Sequence, residues 1–176
     1  MAESILTRRT KVELEYILLA DIIVDTATTT IDITGLDIGK DDEILMVADI
    51  NNTTGSGASC RLFINNNTTV TNYYVQTLEA DNTTISSART NTSSLIYTPA
   101  GRKTLVNAQL KLTNNGYVTY QADNSYSYDL NIRISERFHT TTFTVASITQ
   151  LTLLSSVTDG IGVGSRITLY KKGGSN

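Results

Sequence analysis

Short runs in which apolar and polar residues alternate recur along this chain, and they constrain its fold more than any other feature. In residues 148–154, ITQLTLL, the side chains of Leu151 and Leu153 share one face, and residues 166–170, RITLY, alternate in the same way. A period of two residues is typical of a β-strand that buries one face. The Gly-rich residues 159–165 connect the two runs, so the pattern predicts two antiparallel neighbours joined by a turn.

Three glycines in that connection, Gly160, Gly162 and Gly164, invite comparison with a dinucleotide-binding loop. The dinucleotide pattern is GxGxxG between a strand and a helix, because the phosphates bind at the N-terminus of that helix. Here the spacing differs and a second strand follows. We therefore interpret the glycines as turn residues.

Similar runs, separated by polar or Gly-containing turns, recur through the rest of the chain. They span residues 28–33, 43–50, 60–65, 70–78, 95–97, 103–113, 117–121, 128–134 and 138–146. The most regular alternation is in residues 128–134, and the sequence Asn114-Asn115-Gly116 is typical of a hairpin turn. Residues 79–94 are polar and have no periodicity, which predicts a long loop of the kind that often carries function.

The segment that follows the N-terminus leaves two structures open. Thr10 could cap a helix, because Glu13 stands three residues later as in a capping box. The continuation from Asp21 to Val24 is rich in β-branched residues, which favours a strand.

Composition agrees with an all-β fold. The chain has 176 residues, one Pro and no Trp, is 18% charged, and is rich in Thr, Asn and Ser. We count eight to ten short strands at regular spacing, which predicts a single-domain β-sandwich of jelly-roll type. We assign residues 1–10 to an N-terminal arm, residues 11–172 to the sandwich and residues 173–176 to a C-terminal tail.

The residues offer little for catalysis or metal binding. His139 and Cys60 are the only histidine and cysteine, whereas a zinc site takes three or four such ligands and a triad needs a poised base. Cys60 is expected to be a small buried residue. The acidic residues between positions 37 and 43 lack the EF-hand spacing, so we interpret them as a solvated turn. We expect no enzymatic activity, cofactor or metal site.

Charge and hydropathy argue against two classes of partner. The formal net charge is −3, which does not favour nucleic-acid binding. No apolar run approaches the roughly 18 residues of a membrane span. Residues 1–11 lack the apolar core of a secretion signal, so we expect synthesis in a cytoplasm.

The two ends of the chain resemble small jelly-roll proteins carried by tailed bacteriophages. Residues 148–172, ITQLTLLSSVTDGIGVGSRITLYKK, are similar to the ending of those proteins, and the string from Gly164 to Tyr170 carries most of the resemblance. Residues 17–37 are similar to their opening of a short strand, a Thr-rich turn and an alternating strand. This chain departs from the pattern at Lys171-Lys172, where those proteins have a glycine and an aliphatic residue, and residues 51–101 have no match.

The resemblance implies a structural component of the virion. Such proteins serve as capsid decorations, head fibres or tail-associated fibres, and they resemble one another in forming trimers. We therefore expect a capsid decoration (cement) or minor head protein that binds the shell as a homotrimer. Its partners would be the major capsid protein or another virion protein, and its location would be the virion.

Residues 1–10 offer a candidate contact for such assembly. Ile5 and Leu6 are apolar and Arg8 and Arg9 are basic, so this arm could dock on the capsid or on a neighbouring subunit. A frayed terminus is the alternative interpretation.

A second function from a different class is a carbohydrate-binding adsorption module on a tail or fibre, with a host surface glycan as its partner. Aromatic faces stack on sugars, and seven tyrosines lie in or near predicted loops: Tyr73, Tyr74, Tyr97, Tyr117, Tyr120, Tyr126 and Tyr128. The alternative is that they are half-buried residues of the sheets.

Overall fold

A computed structural model describes residues 16–81, 83–128 and 131–172, with residues 126–128 and 131–132 described by their backbone alone. The predicted arm, the tail and the candidate contact residues Ile5, Leu6, Arg8 and Arg9 lie outside these residues. Within them the chain forms twelve strands. They are β1 (Tyr16–Ile23), β2 (Thr30–Ile38), β3 (Glu43–Asn52), β4 (Ala58–Ile64), β5 (Tyr73–Asp81), β6 (Thr84–Thr90), β7 (Ser94–Thr98), β8 (Arg102–Leu112), β9 (Val118–Tyr128), β10 (Asn131–Thr141), β11 (Ile148–Ser155) and β12 (Arg166–Lys172).

The strands form two antiparallel sheets, and their order confirms the predicted jelly-roll sandwich. The large sheet has the order β1-β12-β3-β8-β9-β10-β5-β6, and the small sheet has the order β2-β11-β4-β7. If β5, β6, β9 and β10 are set aside, the remaining eight strands form two four-stranded sheets. The chain crosses between them as it does in two interlocked Greek keys, which is the jelly-roll connection.

The other four strands are two hairpins inserted into that plan. The β5–β6 hairpin is inserted between β4 and β7, and the β9–β10 hairpin is inserted between β8 and β11. Both hairpins add to the large sheet beyond β8, and β10 pairs with β5 to join them. The large sheet is therefore twice as wide as the small one.

The core lies between the sheets, where alternating residues of both layers meet. In β3, Ile44, Met46, Ala48 and Ile50 are buried and their neighbours are only partly buried. Burying a side chain of this size stabilises the fold by roughly 1.5–3 kcal/mol before entropy is counted.

At the hairpin end of the sandwich the core is extended by aromatic rings. Tyr73 stands edge-on between Phe63 and Phe143, with ring centroids 5.6 and 5.7 Å away. Its hydroxyl donates to the carbonyl oxygen of Asn67 and accepts from the backbone N–H of Ile64. This buried tyrosine anchors the start of β5 to the small sheet.

The strands predicted to pair through the Gly-rich turn, β11 and β12, do not pair. β11 lies in the small sheet between β2 and β4, and β12 lies in the large sheet between β1 and β3. Alternation shows that each strand buries one face, but it does not say in which layer the strand lies. The glycine segment therefore crosses from one sheet to the other, and it is held at Gly162, whose N–H donates to the carbonyl oxygen of Asn51 at 2.7 Å.

The predicted long loop, residues 79–94, is also wrong. β5 continues to Asp81, and β6 follows as a strand at the edge of the large sheet. Every residue of β6 is exposed. A strand with no buried face has no reason to alternate apolar and polar residues, so periodicity gave no signal.

The most regular alternating run, residues 128–134, is not a single strand. β9 ends at Tyr128 and β10 begins at Asn131, where the chain reverses in a hairpin. Ile134, an apolar residue of that run, is 55% exposed, whereas Ser135, Arg137 and His139 are buried. The inner face of β10 is thus built from polar residues, which inverts the usual pattern.

Gly162 provides a test of the crossing segment. A Cβ at this position would lie 2.6 Å from the Asn51 carbonyl oxygen and 2.8 Å from Thr53 Oγ1. We expect Gly162→Ala to lower the free energy of unfolding by about 1–3 kcal/mol, because a backbone atom cannot easily move aside. Urea denaturation measures this change.

The matched control is Gly55→Ala, because nothing lies within 4 Å of a Cβ at Gly55. We expect that variant to stay within about 0.5 kcal/mol of the parent. Equal midpoints for the two variants would contradict the close approach at Gly162.

Candidate binding surfaces

The strand β1 forms one edge of the large sheet and exposes an unusual amount of apolar surface. Tyr16, Ile17, Leu18 and Ile23 are each between 52% and 65% exposed. Because successive side chains of a strand point to opposite faces, Ile17 and Leu18 leave both faces uncovered. Edge strands of this kind are templates for pairing with another chain unless something covers them.

Part of β1 is nevertheless well anchored. Asp21 accepts two hydrogen bonds from the Arg166 guanidinium of β12, at 2.7 and 2.8 Å. The bonds from Arg166 hold the pKa of the Asp21 carboxyl below its usual range. The exposed apolar side chains of Tyr16, Ile17 and Leu18 therefore lie at the start of a strand whose second half is fixed to the sheet.

A second surface is the open face of the large sheet, where side chains of neighbouring strands stand in rows. One row runs across five strands, with each residue directly opposite the next: Gln109 on β8, Gln121 on β9, Phe138 on β10, Gln76 on β5 and Arg89 on β6. Phe138 is 46% exposed. An aromatic ring thus stands within this row between the side-chain amides of Gln121 and Gln76.

Phe138 separates two depressions in this face. One has a volume of about 510 Å³ and is lined by Gln109, Lys111, Thr119 and Gln121 among others. The other has a volume of about 280 Å³ and lies toward Tyr74, Gln76 and Arg89. The guanidinium of Arg89 stands 5.5 Å from the Tyr74 ring centroid, which orients both side chains.

The same face becomes apolar toward the β9–β10 turn. Ile134 of β10 stands opposite Ala80 of β5, and Ala80 stands opposite Ile85 of β6. Ile134 is 55% and Ile85 76% exposed, and Leu78 nearby is 47% exposed. An exposed patch of this kind is common at surfaces that contact other molecules.

The opposite face of the hairpin strands contains a polar cavity of about 290 Å³. It is lined by Ser59, Glu79, Tyr97, Asn124, Arg133, Ser135 and Arg137.

Arg133 is bonded to Glu79, and Arg137 lies 3.5 Å from the other carboxylate oxygen of Glu79. Arg137 also donates to the carbonyl and hydroxyl oxygens of Ser94, both at 3.1 Å, and so ties β10 to β7. These contacts form a polar seam between the inserted hairpins and the small sheet.

His139 lies beside this seam. Its ring stacks on Tyr120, with centroids 4.1 Å apart and an interplanar angle of 11°. Burial, together with the nearby positive charge of Arg137, lowers the pKa of His139 to about 3. Neither ring nitrogen of His139 nor the hydroxyl of Tyr120 has a hydrogen-bond partner among the described residues. A neutral, buried imidazole without a carboxylate partner is not arranged as a general base.

Cys60 and the acidic side chains likewise form no reactive centre in the described structure. Cys60 is buried, as predicted, and burial raises the pKa of its thiol to about 12. No group of three or more His, Cys, Asp or Glu side chains that could hold a metal ion exists within residues 16–81, 83–128 and 131–172. Asp42, in the predicted acidic turn, pairs with Lys171 at 2.7 Å and accepts from the N–H of Gly39.

The tyrosines considered for sugar binding fall into different environments. Tyr73 and Tyr120 are core residues, whereas Tyr97 and Tyr117 are partly exposed, by 36% and 41%. Tyr74 is half-buried, and the side chains of Tyr126 and Tyr128 lie outside the described residues. No local sequence pattern singles out Phe138, because its exposure depends on which face of β10 points to solvent.

No match was found in a scan against protein-family models, a search of curated protein sequences or a search of solved structures. The likeness to phage jelly-roll proteins therefore depends on the sequence string at the two ends of the chain. In the part of the chain that the structure describes, no helix is long and apolar enough to cross a membrane.

The burial of His139 predicts a pH dependence of stability. Its pKa is about 3 in the folded chain and about 6.5 when unfolded. Between these values the unfolded chain binds more protons, so stability falls as pH decreases from 6.5 toward 3. We expect His139→Phe to remove on the order of 2 kcal/mol of the loss between pH 7 and pH 4.5.

The measurement is urea denaturation of both proteins across that pH range. Carboxylates titrate in both proteins, so the difference between the two curves isolates His139. Parallel curves would contradict the buried neutral imidazole.

Proposed function

We propose that this chain is a structural protein of a bacteriophage virion, with no catalytic role. It acts as a capsid decoration (cement) or minor head protein and binds the shell as a homotrimer. The jelly-roll plan and the resemblance of residues 17–37 and 148–172 to phage proteins support this proposal.

The observation that carries the proposal is the apolar edge of β1. Tyr16, Ile17 and Leu18 expose large side chains on both faces of a strand whose outer side has no neighbouring strand within residues 16–172 as described. Removal of apolar surface from water favours association, and a contact at this edge would also pair free backbone groups.

The same edge connects assembly to the N-terminal arm. Residues 1–15 immediately precede β1, so an arm that contains Ile5, Leu6, Arg8 and Arg9 would start beside the exposed strip. A trimer would present three arms to the shell, and three modest contacts then act together as one tight contact.

Light scattering on the purified protein tests the assembly. We expect the mass of three copies of the 19.2 kDa chain. We expect the double variant Ile17→Ser/Leu18→Ser to shift the protein to a monomer, because it removes the apolar strip without touching the Asp21–Arg166 contact.

The matched control is Val163→Ser, which changes a side chain that is also about half exposed (51%) but lies in a loop. It should leave the mass unchanged. A monomeric parent protein, or a double variant that stays trimeric, would show that β1 is not the assembly surface.

Sedimentation with shells tests the capsid contact. Shells purified from a phage mutant that lacks this protein are mixed with the parent protein or with a variant that lacks residues 2–10. We expect the parent to pellet with the shells and the variant to lose at least tenfold in affinity. Equal decoration by both would show that the arm is not the contact. A trimer that does not sediment with the shells would instead favour a location on a tail or fibre.

A second candidate function is a carbohydrate-binding adsorption module on a tail or fibre. The tyrosines that suggested it give limited support, since Tyr73 and Tyr120 are buried in the core. The observation that favours it is Phe138, exposed between side-chain amides on the open face of the large sheet.

A further inference from the structure

We propose that the open face of the large sheet binds an uncharged saccharide chain along the row Gln109, Gln121, Phe138, Gln76 and Arg89, with Phe138 as its stacking platform. This inference rests on the second candidate function and assigns its binding site and ligand class. It is separate from the assembly surface at β1, which is the opposite edge of the same sheet.

Phe138 occupies an unusual position for a large aromatic residue. Its ring stands on the solvent side of β10, although large aromatic side chains usually bury their surface. The neighbours that stand directly opposite it are Gln121 and Gln76. No apolar residue adjoins the ring along the row, and the exposed apolar side chains of this face, Leu78, Ile134 and Ile85, lie toward the β9–β10 turn.

The side chains that flank Phe138 match the chemistry of sugar hydroxyl groups. An amide offers both a donor and an acceptor in one plane, and each hydroxyl group of a sugar is also a donor and an acceptor. A pyranose ring has an apolar face of C–H groups, which can lie on an aromatic ring while its hydroxyl groups reach the amides. Gln76 and Gln109 are exposed and available for this role.

The amide of Gln121 is already oriented by the protein. Its Nε2 donates to a carboxylate oxygen of Glu136 at 2.6 Å. This bond fixes the side chain beside the Phe138 ring, so that its carbonyl oxygen remains as an acceptor. A fixed polar group loses less entropy when a ligand binds.

The charged side chains on this face bear on the kind of ligand it can bind. The row has one charged member, Arg89 at its end, and that guanidinium lies over the Tyr74 ring. Glu43, at the border of the larger depression, is neutralised by Lys172 at 3.0 Å. Lys111 also lines the larger depression, and Glu136 accepts from the Gln121 amide. Because charges of both signs are interspersed on this face, it has no single-sign field that would favour a polyanion over a neutral ligand.

The shape of the face suits an extended ligand. The two depressions, of about 510 and 280 Å³, lie on either side of Phe138 along the row. Five adjacent strands at about 4.8 Å spacing give a row of roughly 19 Å, the length of a short oligosaccharide. Each depression would hold the sugars on one side of the unit that stacks on the ring.

The test begins with a microbial glycan array and the fluorescently labelled full-length protein. The oligosaccharide with the strongest signal is then titrated into ¹⁵N-labelled protein by NMR. We expect the side-chain amide resonances of Gln76, Gln109 and Gln121 to shift with the ligand, whereas those of Gln150, in the small sheet, should not.

Substitutions locate the site. We expect Phe138→Ala to weaken binding of that oligosaccharide at least tenfold, and Phe138→Tyr to keep it within about threefold because the ring remains. Leu105→Ala is the matched control: Leu105 is 46% exposed on the same face but lies two rows away. That variant should bind as the parent does.

Two negative outcomes are distinguishable. An array without signal for the parent protein would overturn both this inference and the adsorption function, and the assembly proposal would stand. Binding that survives Phe138→Ala would overturn this inference alone, because the saccharide would then be held elsewhere. The unchanged NMR spectrum of backbone amides outside the row confirms that each variant is folded.

Discussion

The unequal width of the two sheets is the constraint on which the rest of this structure depends. The small sheet covers the four jelly-roll strands of the large sheet, and there the core is apolar and fully buried at residues such as Ile44, Ile50 and Leu169. Beyond β8 the inserted hairpins have no second layer of equal extent. Their inner side is closed by the ring of Tyr73 and by the polar seam.

The seam shows how a protein can join an extension to a sandwich without an apolar core. Arg137 reaches from β10 to Ser94 on β7 and shares Glu79 with Arg133. Buried charges of this kind contribute little net stability compared with apolar packing, but removing one partner is costly. They fix the orientation of the hairpins, and hence the surface that those hairpins present on their other side. The neutral state of His139 follows from the same environment.

The sequence predicts the fold where each strand buries one apolar face, as in β3, β8 and β11. It does not assign β11 and β12 to different layers, because period-two alternation carries no information about the partner strand. It also fails at β6, where Thr84–Thr90 is exposed throughout, and at β10, where the polar residues are inside. The candidate site depends on Phe138 and three glutamines, and these come together only through the register of β5, β8, β9 and β10. No local pattern encodes that register.

The pairing of β1 with β12 has a consequence for the order of folding. Residues 16–23 cannot enter the sheet until residues 166–172 have been synthesised, and β2 waits in the same way for β11. Contacts this distant in sequence make folding slow, because the chain loses the entropy of closing a long loop before the contacts that offset this loss can form. On the ribosome the early strands therefore remain without their neighbours, and the inserted hairpins, in each of which consecutive strands pair with each other, are the elements able to form first.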